Sequence, residues 1–134
     1  EGFEGCHVDS GARHFAVPVD DLSEINVYKS GQKIRYSNKF SPKGININFF
    51  TTSGPHSIHV ETYEKGIEQM MLSCGSGSVA AAYHASQTLG LQNPIDITVP
   101  GGKLNIEFDN DWGNVWLTGR AILLFSSTVH PKNL

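Results

Sequence analysis

One segment constrains the fold more than any other, because it carries helix-forming residues and almost no charge. Residues 79–89 read Val-Ala-Ala-Ala-Tyr-His-Ala-Ser-Gln-Thr-Leu and follow a glycine-rich stretch. Small, uncharged residues on all sides of a helix indicate that the helix is buried on all sides. Its start is predicted within residues 74–78, capped by Ser76 or Ser78, and its end at Gly90. The segment therefore predicts one central helix surrounded by other elements.

Most of the remaining chain is typical of short strands separated by turns. Apolar and polar residues alternate between clusters of glycine, asparagine and aspartate, and the chain holds 14 glycines. Strands are predicted at residues 14–19, 45–49, 58–63, 95–99, 104–108, 115–118 and 121–125. A short second helix is predicted near residues 32–36. About eight strands with one buried helix indicate the α+β class.

Length, composition and charge exclude several classes of protein. A chain of 134 residues has room for one domain, here residues 1–134. Hydrophobic residues make up 39% and charged residues 17%, as in an ordinary soluble protein. The net charge is −3 and neither sign forms a run, so we expect no nucleic-acid or membrane partner. No apolar stretch approaches the roughly 18 residues that span a bilayer.

The two cysteines, Cys6 and Cys74, are too few and too far apart to form a disulfide framework. We therefore expect a reducing, cytoplasmic environment. No cysteine or histidine pair has the spacing of a zinc site, so no metal is expected.

Cys74 stands immediately before the predicted central helix, among small residues that leave the backbone accessible. The positive end of a helix stabilises a thiolate, and its free N–H groups can hold a carboxylate or phosphate. A phosphatase would need an arginine soon after the cysteine, and none occurs before Arg120. A thiol protease, with a histidine base, stays open. So does proton transfer at the carbon next to a carboxylate, with the N–H groups holding the developing charge.

Six segments in this order resemble the second half of the diaminopimelate epimerases, over about residues 5–128. The segments are Val8-Asp9-Ser10-Gly11-Ala12-Arg13-His14-Phe15, Gly44-Ile45-Asn46-Ile47-Asn48-Phe49, Tyr63-Glu64-Lys65-Gly66, Ser73-Cys74-Gly75-Ser76-Gly77, Pro100-Gly101-Gly102 and Leu117-Thr118-Gly119-Arg120-Ala121. The resemblance implies a mixed, largely antiparallel, barrel-like sheet wrapped round one central helix. It also implies a two-domain enzyme whose amino-terminal half is absent from this chain.

The resemblance further implies epimerisation without cofactor or pyridoxal phosphate, by two thiols on opposite faces of an amino acid. Cys74 matches one of the two catalytic cysteines, and the other would belong to the missing amino-terminal domain. His14 and Glu64 match polar residues that assist the thiols. Cys6 precedes the Gly11–His14 segment and is interpreted as structural.

The same resemblance implies a set of substrate-binding residues. Asn46 matches an amide that holds the distal end of the substrate, together with Lys65. Gly75, Ser76 and Gly77 are expected to cradle the α-carboxylate through backbone N–H groups. Asn48 is expected to face the opposite side of its strand from Asn46.

Some positions depart from the family pattern. Ala12 and Arg13 replace Asn and Pro, Lys65 replaces Arg, and Met70 and Met71 replace an acidic residue and Thr. Lysine lacks the planar fork that binds a carboxylate through two parallel bonds. Arg13 could supply the missing cation. These changes bear on the distal end of the substrate more than on the reaction.

The sequence therefore predicts that this chain, with its missing half, interconverts LL- and meso-diaminopimelate for lysine and peptidoglycan precursors. The alternatives are a racemase or epimerase of the same fold acting on another amino acid, and a non-catalytic amino-acid-binding domain. The isolated chain is expected to be inactive, because one face of the carbanion lacks a proton donor. Self-association into a homodimer is left open.

Overall fold

A computed structural model describes residues 2–130 of the chain. Within that range it has two α-helices, Val27–Arg35 (α1) and Gly75–Leu89 (α2), and one 3-10 turn at Leu22–Glu24. The strands are Cys6–Asp9 (β1), Arg13–Pro18 (β2), Asn46–Gly54 (β3), Ser57–Glu64 (β4), Gln69–Met71 (β5), Ile95–Val99 (β6), Gly102–Phe108 (β7) and Val115–Gly119 (β8). Neither helix is long and apolar enough to cross a bilayer.

The eight strands form one curled sheet, with the order β1-β2-β3-β4-β6-β7-β8 and with β5 paired to the other end of β4. The β2–β3 and β4–β6 pairs are parallel, and the remaining pairs are antiparallel. The sheet curls as a half-barrel. The predicted mixed, largely antiparallel sheet of about eight strands is confirmed.

Alternation along the strands gives the sheet two apolar faces. One face packs against α1 and carries a core of large residues: Phe15, Val17, Val27, Phe40, Ile45, Ile47, Phe49 and Tyr63. The other face packs against α2, and its core includes the helix residues Ala81, Ala82 and Ala85. Alanines on α2 let the helix approach the sheet closely.

The central helix was predicted correctly in position and at its C-cap, but not at its N-cap. It ends at Gly90, whose φ of 72° is the left-handed conformation that glycine adopts without strain. It begins after Cys74, which is the N-cap residue and makes no capping hydrogen bond with its side chain. Ser76 and Ser78 lie inside the first turn, so the prediction that one of them caps the helix is wrong. A capping residue must stand before the helical backbone begins.

Three other predictions need correction. Residues 121–125 form no strand and are exposed, because no strand pairs with them within the described range. The helix predicted near residues 32–36 is the end of the longer α1, whose start is capped by the Asn26 side chain. Strands β1 and β5 were missed, since four and three residues are too short to show alternation.

Candidate functional site

The candidate site lies at the start of α2, where Cys74 occupies the N-cap position with an extended backbone (φ −139°, ψ 106°). The first hydrogen bond of the helix joins the Ser78 N–H to the Cys74 carbonyl at 2.9 Å. The N–H groups of residues 75–77 therefore precede the helical ladder, as the first N–H groups of every helix do. Cys74 is half-buried. Thiol, free N–H groups and the positive helix end coincide here.

His14, a predicted site residue on β2, reaches the start of α2 through Ser76. Its Nε2 lies 3.0 Å from the Ser76 hydroxyl oxygen, and that oxygen lies 3.8 Å from the Cys74 sulfur. The Ser10 hydroxyl donates to the Ser76 carbonyl at 2.7 Å and ties the loop after β1 to the start of α2. Ser76 thus connects the histidine and the thiol.

The other ring nitrogen of His14 contacts a residue that the sequence reasoning assigned to the wrong face. His14 Nδ1 lies 2.7 Å from the Asn48 side-chain oxygen, and the Asn48 amide donates to the Thr62 hydroxyl at 2.7 Å. Asn48 therefore faces α2, as Asn46 does, because residues two apart in a strand share a face. The period of two could have found Asn48, and its expected opposite orientation is wrong.

His14 is fully buried, and this burial lowers the pKa of its imidazole below the ordinary value of 6.5. The hydrogen bond to Asn48 and the negative charge of Asp9 act in the opposite direction but do not outweigh the burial. The ring is therefore neutral near pH 7, which is the form that can accept a proton.

Asn46 and Lys65, both predicted to bind the distal end of a substrate, lie together at the edge of this group. The Asn46 side chain donates to the Arg13 carbonyl at 3.2 Å and accepts from the Lys65 N–H at 2.9 Å. The Lys65 ammonium is exposed and donates to the Lys43 carbonyl at 3.3 Å. Asn46 thus links the backbone of β2 to the backbone just after β4. The second N–H of its side-chain amide makes no hydrogen bond among residues 2–130.

Glu64 ends β4 on the same face as Thr62, since the two are two positions apart in the strand. It is half-buried, and its carboxylate makes no hydrogen bond or ion pair within residues 2–130. The structure therefore places Glu64 on the face that carries His14 and Asn48.

A second carboxylate, Glu68, shapes the turn that follows Glu64. It accepts from the Gly66 N–H at 3.0 Å and the Tyr63 hydroxyl at 3.1 Å, and it pairs with Arg35 at 3.1 Å. Its partial burial alone would raise the pKa of Glu68, but these three donors outweigh it and lower that pKa. Burial, with Glu68 alongside, raises the pKa of Tyr63 to about 12. The sequence reasoning missed this cluster, because its members come from two distant segments.

The remaining predicted positions lie outside this group. Cys6 is half-buried on the edge strand β1, and its thiol donates to the neighbouring His7 carbonyl at 3.8 Å. Met70 packs against the core beside α1. Within residues 2–130, no group of three histidine, cysteine or acidic side chains is arranged to hold a metal ion.

A cavity of about 630 Å³ lies beside the start of α2, between the edge strands β1 and β8. Its lining includes Asp9 and Ser10 at the end of β1, Tyr83 of α2, and Val115 and Leu117 of β8. Ser10 is the residue bonded to Ser76, so the cavity borders the site without including Cys74.

Fold and site together define an α+β domain with a half-buried cysteine, Cys74, at the start of a helix. Ser76 links this cysteine to the buried His14. Comparison with known proteins identifies the family. The sequence model described as diaminopimelate epimerase matches residues 6–124, and the chain belongs to the diaminopimelate epimerase family.

Curated relatives agree with this assignment. The chain is 39% identical over 133 residues to the diaminopimelate epimerase of Aquifex aeolicus, covering 97% of this chain and 47% of the relative. It is 41% identical over 110 residues to the one of Methanocella arvoryzae, covering 82% of this chain and 39% of the relative. The chain spans less than half the length of each of these two relatives.

Solved structures agree on the fold. A phenazine biosynthesis protein of the PhzF family from Enterococcus faecalis has a TM-score of 0.58 at 14% identity, covering 74% of this chain and 35% of that one. A PhzF-family protein from Bacillus anthracis has a TM-score of 0.56 at 19% identity, covering 86% and 36%. At these identities the similarity concerns the fold alone.

Proposed function

We propose that this chain is the carboxy-terminal half of a diaminopimelate epimerase, and that Cys74 is one of its two proton-transferring thiols. The reaction interconverts LL- and meso-diaminopimelate in the synthesis of lysine and peptidoglycan precursors. The observation that carries the proposal is the position of Cys74, half-exposed at the start of α2, in a chain that belongs to this family. The second thiol would come from an amino-terminal half of the same protein.

The proposed reaction moves one proton off the α-carbon and another onto its opposite face. The thiolate of one cysteine takes the α-proton and becomes a thiol, while the electron pair of the broken C–H bond spreads into the α-carboxylate. The thiol of the other cysteine then donates its proton to the opposite face and becomes a thiolate. The substrate is inverted, and the two cysteines have exchanged protonation states.

The carboxylate carries the extra negative charge midway through this reaction, and the start of α2 is suited to hold it. The N–H groups of Gly75, Ser76 and Gly77 precede the helical ladder and point out of the positive helix end. Such preorganised donors lower the barrier because they stabilise charge as it develops. The proposal therefore needs no pyridoxal phosphate or metal to stabilise the carbanion.

His14 and Glu64 are proposed to assist the thiols. His14 is neutral near pH 7, and its Nε2 faces Ser76, next to Cys74. Glu64 shares that face of the sheet and makes no internal bond within the described residues, so its carboxylate is free to accept a proton or to bind the substrate ammonium.

A racemase or epimerase for another amino acid is the second candidate, and one contact favours considering it. The Lys65 ammonium donates to the Lys43 carbonyl, and lysine cannot form the two parallel bonds by which arginine grips a carboxylate. Asn46 and Lys65 are proposed to bind the distal end of the substrate, and Arg13 is the nearby cation that could join them. A panel of amino acids, scored by kcat/KM, separates diaminopimelate from other substrates.

The test of the function uses the longer protein to which we propose this chain belongs. We expect it to interconvert LL- and meso-diaminopimelate without added cofactor, as followed by chiral chromatography. The Cys74→Ala variant should lose at least about 100-fold in rate, since proton transfer by a positioned side chain contributes about 10²–10⁴-fold. Cys6→Ala is the matched control and should keep the rate of the unmodified protein.

Two results would contradict the proposal. Full turnover by Cys74→Ala would exclude this thiol as a base. Binding of diaminopimelate by calorimetry, with no turnover of any amino acid in the panel, would instead favour a non-catalytic binding domain.

The 134-residue chain alone is expected to be inactive, because only one face of the carbanion would meet a thiol. We place the enzyme in the cytoplasm, since both cysteines are free and this chemistry requires reduced thiols. Whether it forms a homodimer is tested by the mass of the longer protein in solution.

A further inference from the structure

The buried pair formed by His14 and Asn48 has a geometry that the proposed reaction does not by itself explain. Both side chains are fully buried, and each His14 ring nitrogen has one partner: Asn48 on Nδ1 and Ser76 on Nε2. A neutral imidazole carries a proton on one nitrogen and a lone pair on the other. The partner of Nδ1 therefore decides which nitrogen can act as a base.

The Asn48 amide lies between the Thr62 hydroxyl and the His14 ring. Its nitrogen donates to the Thr62 hydroxyl at 2.7 Å, so its oxygen is the atom that faces His14 Nδ1. An amide oxygen only accepts hydrogen bonds, and His14 Nδ1 must then carry the proton. His14 Nε2 is left with its lone pair and accepts from the Ser76 hydroxyl.

Helix α2 holds the Asn48 side chain from the other side. A Cβ atom placed at Gly77 would lie 2.1 Å from the Asn48 amide nitrogen, so only glycine leaves room for the amide there. The amide is thus confined between β2, β4 and α2.

We propose that Asn48 is a positioning residue that holds His14 in the Nδ1-protonated neutral form, with an unprotonated Nε2 directed toward Ser76 and Cys74. The catalytic part of this inference rests on the proposed function, whereas the tautomer itself does not. The hydrogen bonds of the Asn48 side chain go to His14 and Thr62, and it packs against Gly77 at the start of α2. It acts through His14, and Thr62 acts through Asn48.

The tautomer is measured on the 134-residue chain by ¹⁵N NMR with labelled histidine at a pH where His14 is neutral. We expect the His14 Nδ1 signal of a protonated nitrogen and the Nε2 signal of an unprotonated one. His84 is an internal control, because its Nδ1 lies 3.0 Å from the Ala16 carbonyl and must also be protonated. A His14 ring protonated at Nε2 would overturn the proposal without any variant.

Two variants separate positioning from simple packing. Asn48→Asp keeps an acceptor toward Nδ1, so His14 should keep its tautomer and bind its second proton at higher pH. Thr62→Val removes the acceptor that fixes the amide, so the amide can turn its nitrogen toward His14 and an Nε2-protonated population should appear. Asn105→Leu, on β7, removes an exposed hydrogen bond to Asp96 and should leave the His14 signals unchanged. An unchanged tautomer in Thr62→Val would contradict the role of Thr62 in fixing Asn48.

Activity of the longer protein completes the test. Thr62→Val should lower kcat by at least about tenfold with little change in KM, because it misplaces a proton acceptor and not a substrate contact. Asn48→Asp should retain the tautomer and shift the acidic limb of the pH profile of kcat upward, with Asp9 and Cys74 as the other titratable groups near His14.

If the NMR result holds and the longer protein has no epimerase activity, the proposed function fails and the tautomer assignment stands. Unchanged kcat in Thr62→Val, with a mixed tautomer, would refute the positioning role alone.

Discussion

Gly77 is the position where a single added carbon would test the packing of the site. An alanine Cβ there would lie 2.1 Å from the Asn48 amide nitrogen, 3.0 Å from its Cγ and 3.1 Å from the Cys74 sulfur. Contacts below 3.0 Å do not occur in relaxed structures, so Asn48 or the helix must move. Asn48 is buried and bonded at both ends of its amide, and cannot move without breaking those bonds.

Three contributions determine how Gly77→Ala changes the free energy of unfolding. Overpacking a tightly packed site costs about 1–3 kcal/mol. A displaced Asn48 leaves a buried polar group unsatisfied, at about 1–3 kcal/mol. Alanine favours a helix over glycine by about 1 kcal/mol, which offsets part of this. We therefore expect Gly77→Ala to lower the free energy of unfolding by about 3 kcal/mol.

Urea denaturation of the 134-residue chain, followed by circular dichroism, measures this change. Gly75→Ala is the matched control in the same helical turn. Its Cβ would lie 2.8 Å from Leu117 Cδ2, the end of a side chain that is 46% exposed and can turn away. We expect that control to stay within about 0.5 kcal/mol of the unmodified chain. Equal stability of the two variants would refute the confinement of Asn48.

Three further predictions concern titratable groups. Glu68→Gln should lower the free energy of unfolding at pH 7 by about 1–2 kcal/mol, since it removes the charge that Arg35 and the Gly66 N–H bind. Because folding lowers the pKa of Glu68, the stabilisation that this carboxylate gives should be present above its ordinary pKa of 4.5 and lost as the pH falls. In Glu68→Gln, the free energy of unfolding measured in urea should therefore fall less steeply at acidic pH. Tyr63→Phe should cost about 1 kcal/mol in the same assay, as loss of one hydrogen bond to Glu68. The lowered pKa of His14 means that the unfolded chain binds a proton more readily, so stability should fall as the pH drops below 6.5, and less so in His14→Gln.

The elements that the sequence predicts well are those with a long local signal. The uncharged run of residues 79–89 is long enough to specify a buried helix, and Gly90 ends it where expected. In the runs that form β2, β3 and β4, the alternation of residues within each strand is enough to show which residues share a face of the sheet. Cys74 could be placed at the helix start for the same reason.

What the sequence could not predict depends on partners far away in the chain. Residues 121–125 form a continuous apolar run, as a buried strand can, but a strand also requires a neighbour to pair with, and within residues 2–130 no strand pairs with them. The joining of Arg35 to Glu68, and of Ser10 to Ser76, depends on how separate elements pack. Asn48 is different, because the period of two was sufficient to place it beside Asn46.

The most direct test of the central claim follows deuterium at the α-carbon of diaminopimelate, with the longer protein in heavy water. The claim is that the Cys74 sulfur exchanges a proton with that carbon. We predict deuterium incorporation that is abolished by Cys74→Ala and unaffected by Cys6→Ala, as measured by mass spectrometry. Incorporation at the same rate in Cys74→Ala would contradict it.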